Sequence, residues 1–384
     1  MTDKPWNDAI DLMLTRIQDT AKRVTSGYPH WAHSETGHWT TTPDGDWTGG
    51  FWVGILWIAA TATGNPRYRA LAEPLAERLR ARIDAETVFK AFPAYYGAAL
   101  GAILHHSPSA RDIGLRTAQS LARLYAPALG LVPLGVEAEE GTHIGNTETS
   151  IDTLQAAPLL FWAARETGDT VLREVAVHHA DTIIPLHLRA DGSFIQSSSL
   201  DPVTGRLVRH YTHKGFSDTS TWGRAQGWGM LFATQSYLAD PSHADWLAAA
   251  MRGADWWLAH VPSDQVAFWD FDDPAIPKTE RDTAATAIAL AALLKLGRVA
   301  TPESRRARYQ KAAEATARAL VMNYLTPTHA GDVRTPGMLT EACFNKRPDA
   351  RPQDKVTRCE FIVGSYYLFE SLLCLDGRLD PVCV

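Results

Sequence analysis

The sequence predicts an all-α protein, an (α/α)6 barrel of six helical hairpins with long loops on one face. Apolar residues recur at helical spacing in about twelve segments. Short connections alternate along the chain with long loops rich in Trp, His, Asp and Arg, and strand-like runs are few. Hairpins joined in this alternating way stack side by side into a double ring of six inner and six outer helices. An open helical solenoid is the alternative arrangement.

The predicted helices begin and end at ordinary start and stop residues. In the segment 64–66 (GNP), glycine suits the end of one helix and proline the start of the next, and a similar break returns at 167–169 (TGD). The predicted helices cover residues 5–25, 47–63, 66–83, 94–105, 109–126, 151–167, 170–188, 223–239, 242–260, 283–297, 303–323 and 361–375.

The best strand candidates are residues 193–197 and 207–211, which flank the turn 201–205 (DPVTG). They predict a hairpin inside a long loop. The chain has 384 residues, of which 45% are hydrophobic, and this is ample for a sizeable core. We expect one domain that covers residues 1–384.

Charge and cysteine usage narrow the class of protein. The net charge is −6 and neither Lys nor Arg forms a long run, so nucleic acid and anionic membranes are not expected partners. The N-terminus lacks the features of a signal peptide, and no stretch is apolar for long enough to span a bilayer. The four cysteines lie in the C-terminal part without C-x-x-C spacing, which indicates reduced thiols in a cytoplasmic protein.

Thirteen tryptophans stand out in the composition, and many lie in predicted loops. Indoles in loops commonly stack on a ring-shaped ligand. In either helical arrangement, the long loops share one face with the N-termini of alternate helices, which carry a positive dipole end. This aromatic, acidic and electropositive face would suit a carbohydrate that carries a carboxylate.

One candidate catalytic residue is Asp152, which lies at the start of an otherwise apolar helix. Ser150 is placed to cap the first free N–H groups of that helix, and Pro158 requires a local kink or a freed carbonyl. The simpler interpretation is that Asp152 is a first-turn carboxylate stabilised by the helix dipole.

The segment 220–228 (STWGRAQGW) contains the candidate binding residues Trp222, Arg224, Gln226 and Trp228. Helical spacing places Trp222 and Gln226 on one side, with Arg224 and Trp228 on the other. One side is expected to face a cleft and the other to pack between helices. An Arg beside two indoles can stack on them or bind a carboxylate in bidentate fashion, or it can satisfy loop carbonyls.

The sequence gives little support for a metal site or a cofactor. His143, His210 and His213 lie in long loops, and their spacing fits no helical metal pair. The acidic segment 269–274 (WDFDDP) lacks the glycine and terminal Glu of a calcium loop, and we interpret it as a solvated turn that places Trp269. Asp282 is most simply a helix cap. Nucleophile elbow, phosphate-loop and dinucleotide motifs are missing from the sequence.

Several of these segments, in the same order over nearly the whole chain, resemble the unsaturated glucuronyl hydrolases of glycoside hydrolase family 88 and their rhamnogalacturonyl relatives. The resemblance implies an (α/α)6 barrel that removes a 4,5-unsaturated uronic acid from lyase-generated oligosaccharides by hydration, without a cofactor. The segments that carry it are 46–57 (DWTGGFWVGILW), 151–163 (IDTLQAAPLLFWA) with 167–169, 212–215 (THKG), 220–228, 268–271 (FWDF) and 281–288 (RDTAATAI).

In the mechanism that the resemblance implies, Asp152 matches the family's general acid/base. A protonated carboxyl group delivers a proton to C4 of the enol ether, positive charge develops at C5 and the ring oxygen, and water adds at C5. The resulting hemiketal opens and releases the aglycone. The residues that match positions lining or supporting the substrate pocket are Trp47, His213, Trp222, Arg224 and Gln226.

The chain departs from the family pattern at two places. The family carries a second carboxylate in a His-Asp-x-Gly motif, whereas residues 89–97 read FKAFPAYYG and contain no acid. Without that carboxylate, two alternatives are open: Asp152 has a lower pKa and is a weaker acid, or a neighbouring group supplies the missing interaction, for which the candidates are Tyr95, Tyr96, Glu148 and Asp46. Gln196 stands where the family typically places a substrate-facing His.

The expected partner is a small oligosaccharide that bears a uronic acid, bound by a monomer or a small homo-oligomer. Two other functions remain open on the same barrel. A sugar epimerase would need paired histidines, and His143 with His213 would serve if they face each other across the cleft. A uronide-binding protein without catalysis is the other, and the missing second acid favours it.

Overall fold

The computed structural model describes residues 6–138, 147–347, 349–350 and 355–384, and twelve α-helices lie within them. Each of the twelve predicted helical segments overlaps one of these helices, which confirms the all-α prediction. The helices are α1 (Asn7–Arg23), α2 (Gly49–Thr63), α3 (Pro66–Arg78), α4 (Leu100–His105), α5 (Pro108–Ala122), α6 (Ala156–Thr167), α7 (Thr170–His187), α8 (Gly223–Ala239), α9 (Ala244–His260), α10 (Thr283–Val299), α11 (Glu303–Asn323) and α12 (Ile362–Leu375).

Burial alternates along this series of helices. The even-numbered helices are buried over most of their surface, whereas the odd-numbered helices bury one face and expose the other. The inner helices contact one another in order around a ring, with the π-helical turn Pro93–Ala99 completing the position of α4, and α12 packs against α2. Because the ring closes, the fold is the predicted (α/α)6 barrel and the open solenoid is excluded.

The start of the helix predicted over 151–167 differs from expectation. Residues Ile151–Gln155 form a 3-10 turn, and α6 begins only at Ala156. Pro158 has no backbone N–H to donate to the carbonyl four residues earlier, as an α-helix requires. The tighter 3-10 turn before it is consistent with this missing hydrogen bond. Ser150 does not cap the helix, because its hydroxyl instead donates to Oδ2 of Asp152 at 3.1 Å.

Among the described residues, six short strands form two antiparallel sheets next to the loops. The strands are β1 (Tyr28–His33), β2 (Trp39–Thr42), β3 (Glu148–Ser150), β4 (Ser197–Leu200), β5 (Leu207–Tyr211) and β6 (Cys359–Phe361). Their orders are β2-β1-β6 and β3-β4-β5. β3 leads into the turn that precedes α6, and β6 runs directly into α12, so the sheets lie where inner helices begin.

The predicted hairpin is confirmed for its second strand and wrong for its first. The first strand covers Ser197–Leu200 rather than 193–197. Backbone groups before it are bonded to helices instead of to a strand: the N–H of Phe194 donates to Oε1 of Gln226 at 2.7 Å, and that of Ile195 donates to the carbonyl of His187 at 2.9 Å. Strands β1, β2, β3 and β6 were not predicted, since they are three to six residues long.

Nearly all buried apolar side chains belong to one contiguous cluster that runs through the helices of the barrel. The expectation of a single domain stays a prediction. Within the described ranges, no helix is both long and apolar enough to cross a bilayer. All four cysteines are free thiols, with Cys343 and Cys359 buried.

Candidate active site

A cleft lies against the sheets and the first turns of inner helices. Its wall combines six aromatic rings, one carboxyl group and two cations. The lining residues are Trp47, Phe89, Phe92, Asp152, Lys214, Trp222, Arg224, Trp228 and Phe344. A cleft walled by aromatic rings, with one carboxyl group and two cations, is suited to an anionic sugar ring.

Asp152 enters the cleft from the 3-10 turn before α6 and is 8% exposed. The turn is fixed on both sides: the N–H of Ile151 donates to the backbone carbonyl of Gln196 at 2.8 Å, and Nε2 of His179 lies 2.8 Å from the carbonyl of Thr153. Asp152 is therefore a nearly buried carboxyl group on a rigid support, as a proton donor requires.

Arg224 is a buried cation, 2% exposed, in the first turn of α8. Its Cζ atom lies 4.7 Å from the ring centre of Trp222 and 5.2 Å from that of Phe361. Nη2 donates to the carbonyl of Phe344. Nη1 has no hydrogen-bond partner among the described residues. A buried guanidinium edge of this kind is placed to meet a ligand or water.

Asp282 lies behind Arg224 and is fully buried, with its Oδ2 atom 3.6 Å from Nε of Arg224. Its Oδ1 atom accepts hydrogen bonds from the N–H groups of Ala284 at 3.0 Å and Ala285 at 3.2 Å, which confirms the predicted helix cap. Burial raises the pKa of Asp282, and the neighbouring Arg224 opposes that shift. The cap thus also holds the cleft arginine.

Lys214 supplies the second cation and is 8% exposed. Its Nζ atom lies 4.5 Å from the ring centre of Phe344, and the same ring is contacted by Arg224 and His30. Burial, and then the charges of Lys214 and Arg224, lower the pKa of His30 to about 4. His30 is therefore neutral near pH 7, with its Nδ1 atom 2.8 Å from the hydroxyl of Thr48.

Aromatic contacts fix the remaining wall. The ring of Trp228 stacks on Phe232 with 4.9 Å between centres, and it meets Phe92 edge-on at 5.6 Å. Trp47 packs edge-on against Phe92 at 5.5 Å and Phe361 at 5.8 Å. Since each ring is held by others, the cleft has a preformed shape.

Five sequence-predicted residues share this cleft: Asp152, Trp47, Trp222, Arg224 and Trp228. The predicted division of 222–228 between two faces was wrong for Trp222 alone, since Arg224 and Trp228 line the cleft and Gln226 packs between helices. Trp222 precedes α8 in an extended conformation, with φ −63° and ψ 129°, so helical spacing does not relate it to Gln226. Trp222 and Arg224 consequently line the cleft together.

Gln226 is absent from the cleft wall and packs between helices. Its Nε2 atom donates to the carbonyls of Gly192 at 3.3 Å and Gly253 at 3.0 Å, while its Oε1 atom accepts from Phe194. The side-chain amide of Gln226 therefore uses its hydrogen bonds to join α8 to α9 and to the loop before β4. This corrects the prediction that Gln226 lines the substrate pocket.

Gln196 and His213 lie behind the wall. Oε1 of Gln196 accepts hydrogen bonds from the backbone N–H groups of His213 at 3.2 Å and Lys214 at 3.0 Å. The ring of His213 lies 2.8 Å from the hydroxyl of Ser197 and 3.1 Å from Nε2 of Gln196. Because the backbone of Gln196 also holds Ile151, this residue connects the Asp152 turn to the Lys214 loop.

The residues proposed to replace the second acid lie outside the wall. Tyr95 is buried against Tyr96, with 5.2 Å between ring centres, and burial raises its pKa to about 12. Glu148 accepts a hydrogen bond from the hydroxyl of Tyr211 at 2.8 Å, and Asp46 lies 3.7 Å from Arg82. The segment 89–97 instead contributes the rings of Phe89 and Phe92 to the cleft.

The acidic segment 269–274 is a partly buried support, with Asp270 and Asp273 buried and Asp272 exposed, rather than a fully solvated turn. Oδ2 of Asp270 accepts from the N–H of Phe216 at 2.8 Å and the hydroxyl of Ser220 at 2.7 Å, and Asp272 accepts from the N–H of Thr221 at 2.7 Å. Trp269 is placed as predicted, since its indole donates to Asp273 at 2.6 Å. The segment thus holds the loop that leads to Trp222.

The histidine pair required for an epimerase is not assembled in the part of the chain that the structure describes. His143 lies outside the described residues, and His213 is absent from the cleft wall. Within the same ranges, no three His, Cys, Asp or Glu side chains are grouped to hold a metal ion.

Sequence reasoning did not assign Lys214, Phe344, Phe89 or Phe92 to the site. Lys214 lies inside the quoted segment 212–215, so the pattern contained a signal for it. Phe344 follows from no motif, because it reaches the cleft only through the packing of a distant loop on Arg224.

No protein-family model matches the sequence. The unsaturated glucuronyl hydrolase of Bacillus sp. (strain GL1) is 33% identical over 97% of both chains. An unsaturated chondroitin disaccharide hydrolase of Streptococcus pyogenes serotype M1 is 28% identical over 84% of this chain and 81% of its own length. A solved structure of UGL with dGlcA-Glc-Rha-Glc superposes with a TM-score of 0.87 at 30% identity over 96% of both chains.

Proposed function

This chain belongs to the unsaturated glucuronyl hydrolases of glycoside hydrolase family 88, and on that premise we propose its reaction. It releases a terminal 4,5-unsaturated uronic acid from lyase-generated oligosaccharides by hydrating the enol-ether double bond. The observation that carries the proposal is the presence of Asp152 and Arg224 in one aromatic cleft. The first supplies the proton and the second recognises the carboxylate.

Asp152 begins the reaction as a protonated acid. It transfers its proton to C4, and the electron pair of the double bond forms the new C4–H bond. Positive charge then develops at C5 and the ring oxygen, inside a cleft whose wall includes Trp222 and Trp228.

Water completes the hydration at C5. The Asp152 carboxylate left by the first step accepts a proton as the water oxygen bonds to C5, which restores the acid for the next turnover. The product is a hemiketal, which opens and releases the aglycone. One residue therefore serves as acid and then as base, and the overall reaction consumes one water molecule.

Arg224 positions the sugar ring through its carboxylate. The Nη1 edge, which has no partner among the described residues, is available for an oxygen of the substrate, while Nη2 and Nε are held by Phe344 and Asp282. A guanidinium fixed in this way binds a planar carboxylate with defined orientation.

The proposal also covers the domain organisation, the cellular location and the oligomeric state of the enzyme. We infer a single-domain cytoplasmic enzyme that needs no cofactor and acts as a monomer or a small homo-oligomer. Four free cysteines support an intracellular setting. The substrate is a small oligosaccharide with a uronic acid at its non-reducing end.

Loss of near-ultraviolet absorbance tests this function. The enzyme is mixed with lyase-derived unsaturated disaccharides of several linkages, and the absorbance of the conjugated double bond is expected to disappear. Asp152→Asn is expected to stop the reaction, because an amide cannot deliver the proton. Absorbance that persists with every disaccharide would overturn the proposal.

A further inference from the structure

We propose that Lys214 is a specificity-determining residue that forms, with Arg224, a two-cation site for the carboxylate of the uronic acid. The proposal rests on the proposed function and deepens it. It predicts that this enzyme distinguishes a uronate from an uncharged sugar more strictly than one guanidinium would allow.

Lys214 and Arg224 both lie close to the ring of Phe344. Nζ of Lys214 lies 4.5 Å from the ring centre of Phe344, and Cζ of Arg224 lies 5.6 Å from the same centre. Both side chains line the cleft with Asp152. A carboxylate bound at the Nη1 edge of Arg224 would therefore lie in the field of both charges.

The side chains of Lys214 and Arg224 are both buried. Lys214 is 8% exposed and Arg224 is 2% exposed, so the aromatic wall around them excludes most solvent. Water screens a charge far less when the charge is buried, and an anion is correspondingly attracted more strongly. The lowered pKa of His30, to which both cations contribute, reports the same positive surroundings.

A hydrogen bond to its backbone N–H holds Lys214 in place. Oε1 of Gln196 accepts its N–H at 3.0 Å, and the side chain of Gln196 is itself buried. A lysine on a mobile loop would lose conformational entropy on binding an anion, whereas a fixed one loses less. The loop is thus preorganised for an electrostatic role.

The two cations differ in what they can recognise. The planar guanidinium of Arg224 defines the orientation of a carboxylate, whereas the compact ammonium of Lys214 adds charge with little directional demand. Removing the negative charge of the substrate by methyl esterification should therefore cost more in this enzyme than in a variant that lacks the lysine charge.

Kinetics with an acid and its ester test the proposal. The unsaturated disaccharide and its uronate methyl ester are compared for the wild type, Lys214→Gln and Lys214→Arg. For Lys214→Gln we expect the ratio of kcat/KM for acid over ester to fall by at least about thirtyfold, mainly through KM for the acid. Lys214→Arg is expected to retain most of the ratio.

Lys346→Gln is the matched control, because it removes the same charge from a lysine outside the cleft wall that pairs with Glu280 at 2.5 Å. A purely structural role for Lys214 would reduce turnover of acid and ester alike. An acid-to-ester ratio that is unchanged in a folded Lys214→Gln variant would overturn the proposal.

Binding separates this inference from the proposed function. Calorimetry measures the affinity of each variant for a saturated disaccharide with terminal glucuronate and for its glucose counterpart. If the wild type turns over no unsaturated substrate, the proposed function fails, and the preference for glucuronate still decides the role of Lys214. An equal preference in wild type and Lys214→Gln would contradict that role.

Discussion

Asp282 serves the site with both of its carboxylate oxygens, since Oδ1 caps α10 and Oδ2 lies 3.6 Å from Nε of Arg224. Asn is also a good helix cap, so Asp282→Asn removes the charge and largely keeps the cap. We expect this variant to lose about 3 kcal/mol of unfolding free energy, because Arg224 remains buried without its counter-ion. Denaturant unfolding measures the loss, and KM for the unsaturated disaccharide is expected to rise.

Asp264→Asn is the control for that experiment. Asp264 pairs with Arg281 at 2.6 Å near the surface, where an ion pair contributes little, so a change below about 1 kcal/mol is expected. Equal stability of Asp282→Asn and the wild type would contradict the role of the buried pair.

Gln196→Ala tests the connection between the Asp152 turn and the Lys214 loop. The substitution leaves the buried N–H of Lys214 and that of its neighbour His213 without their acceptor, which costs about 1–3 kcal/mol. We expect kcat/KM to fall at least tenfold, about the factor that 1.4 kcal/mol of positioning supplies. Gln119→Ala, at an exposed glutamine of α5, provides the control.

Gln226→Ala separates a structural role from a binding role. The amide of Gln226 joins α8 to neighbouring backbone at three points, so its loss is expected to lower the unfolding free energy by about 2 kcal/mol. Since the side chain is absent from the cleft wall, KM should change less than twofold. A large rise in KM with unchanged stability would return Gln226 to the substrate pocket.

His179 makes the stability of the Asp152 turn depend on pH. Burial lowers the pKa of His179 from 6.5 to about 4. Nδ1 accepts the N–H of Val132 at 3.1 Å, so the neutral ring, with its proton on Nε2, donates to the carbonyl of Thr153. Protonation of the ring would remove the first of these contacts.

The sign of the pH effect follows from the direction of that shift. Above pH 6.5 the ring is neutral in both states, and its full contribution to stability is present. As pH falls from 6.5 towards 4, the unfolded chain binds a proton that the folded protein refuses, so about 2 kcal/mol is lost by pH 5. Because burial also lowers the pKa values of His30 and His187, urea unfolding at pH 7.5 and 5 is compared between the wild type and His179→Gln, and the difference between the two proteins measures this loss. In His179→Gln the dependence should be shallower, and an identical dependence would exclude His179 as its source.

The fold was predictable because the hairpin pattern is local. Helical spacing and stop signals such as Gly64 act within a few residues, and they located all twelve helices. Short strands such as β6 depend on partners far along the chain: Phe361 pairs with Trp31 across the sheet, and neither segment predicts the other. Local patterns carry no information about such pairing.

The candidate site was predictable only in part for the same reason. Asp152 and Arg224 lie in recognisable segments, whereas the contact of Arg224 with Asp282 joins two helix starts that are distant in sequence. Trp222 was placed on the wrong side because the helical rule was applied to a residue that precedes the helix with extended backbone. Conformation at a helix boundary is set by tertiary hydrogen bonds, here from Gly223 N–H to the carbonyl of Trp269.

The closure of the ring by α12 against α2 also sets the order in which the cleft can be completed. Arg224 obtains its carbonyl acceptor from Phe344, 120 residues later in the chain, and one of its aromatic neighbours from Phe361. Contacts between segments so far apart form late in folding, because the intervening chain must first be ordered. A chain interrupted between Arg224 and Phe344 would therefore possess the acid and most of the aromatic wall, yet would lack the surroundings that hold the arginine.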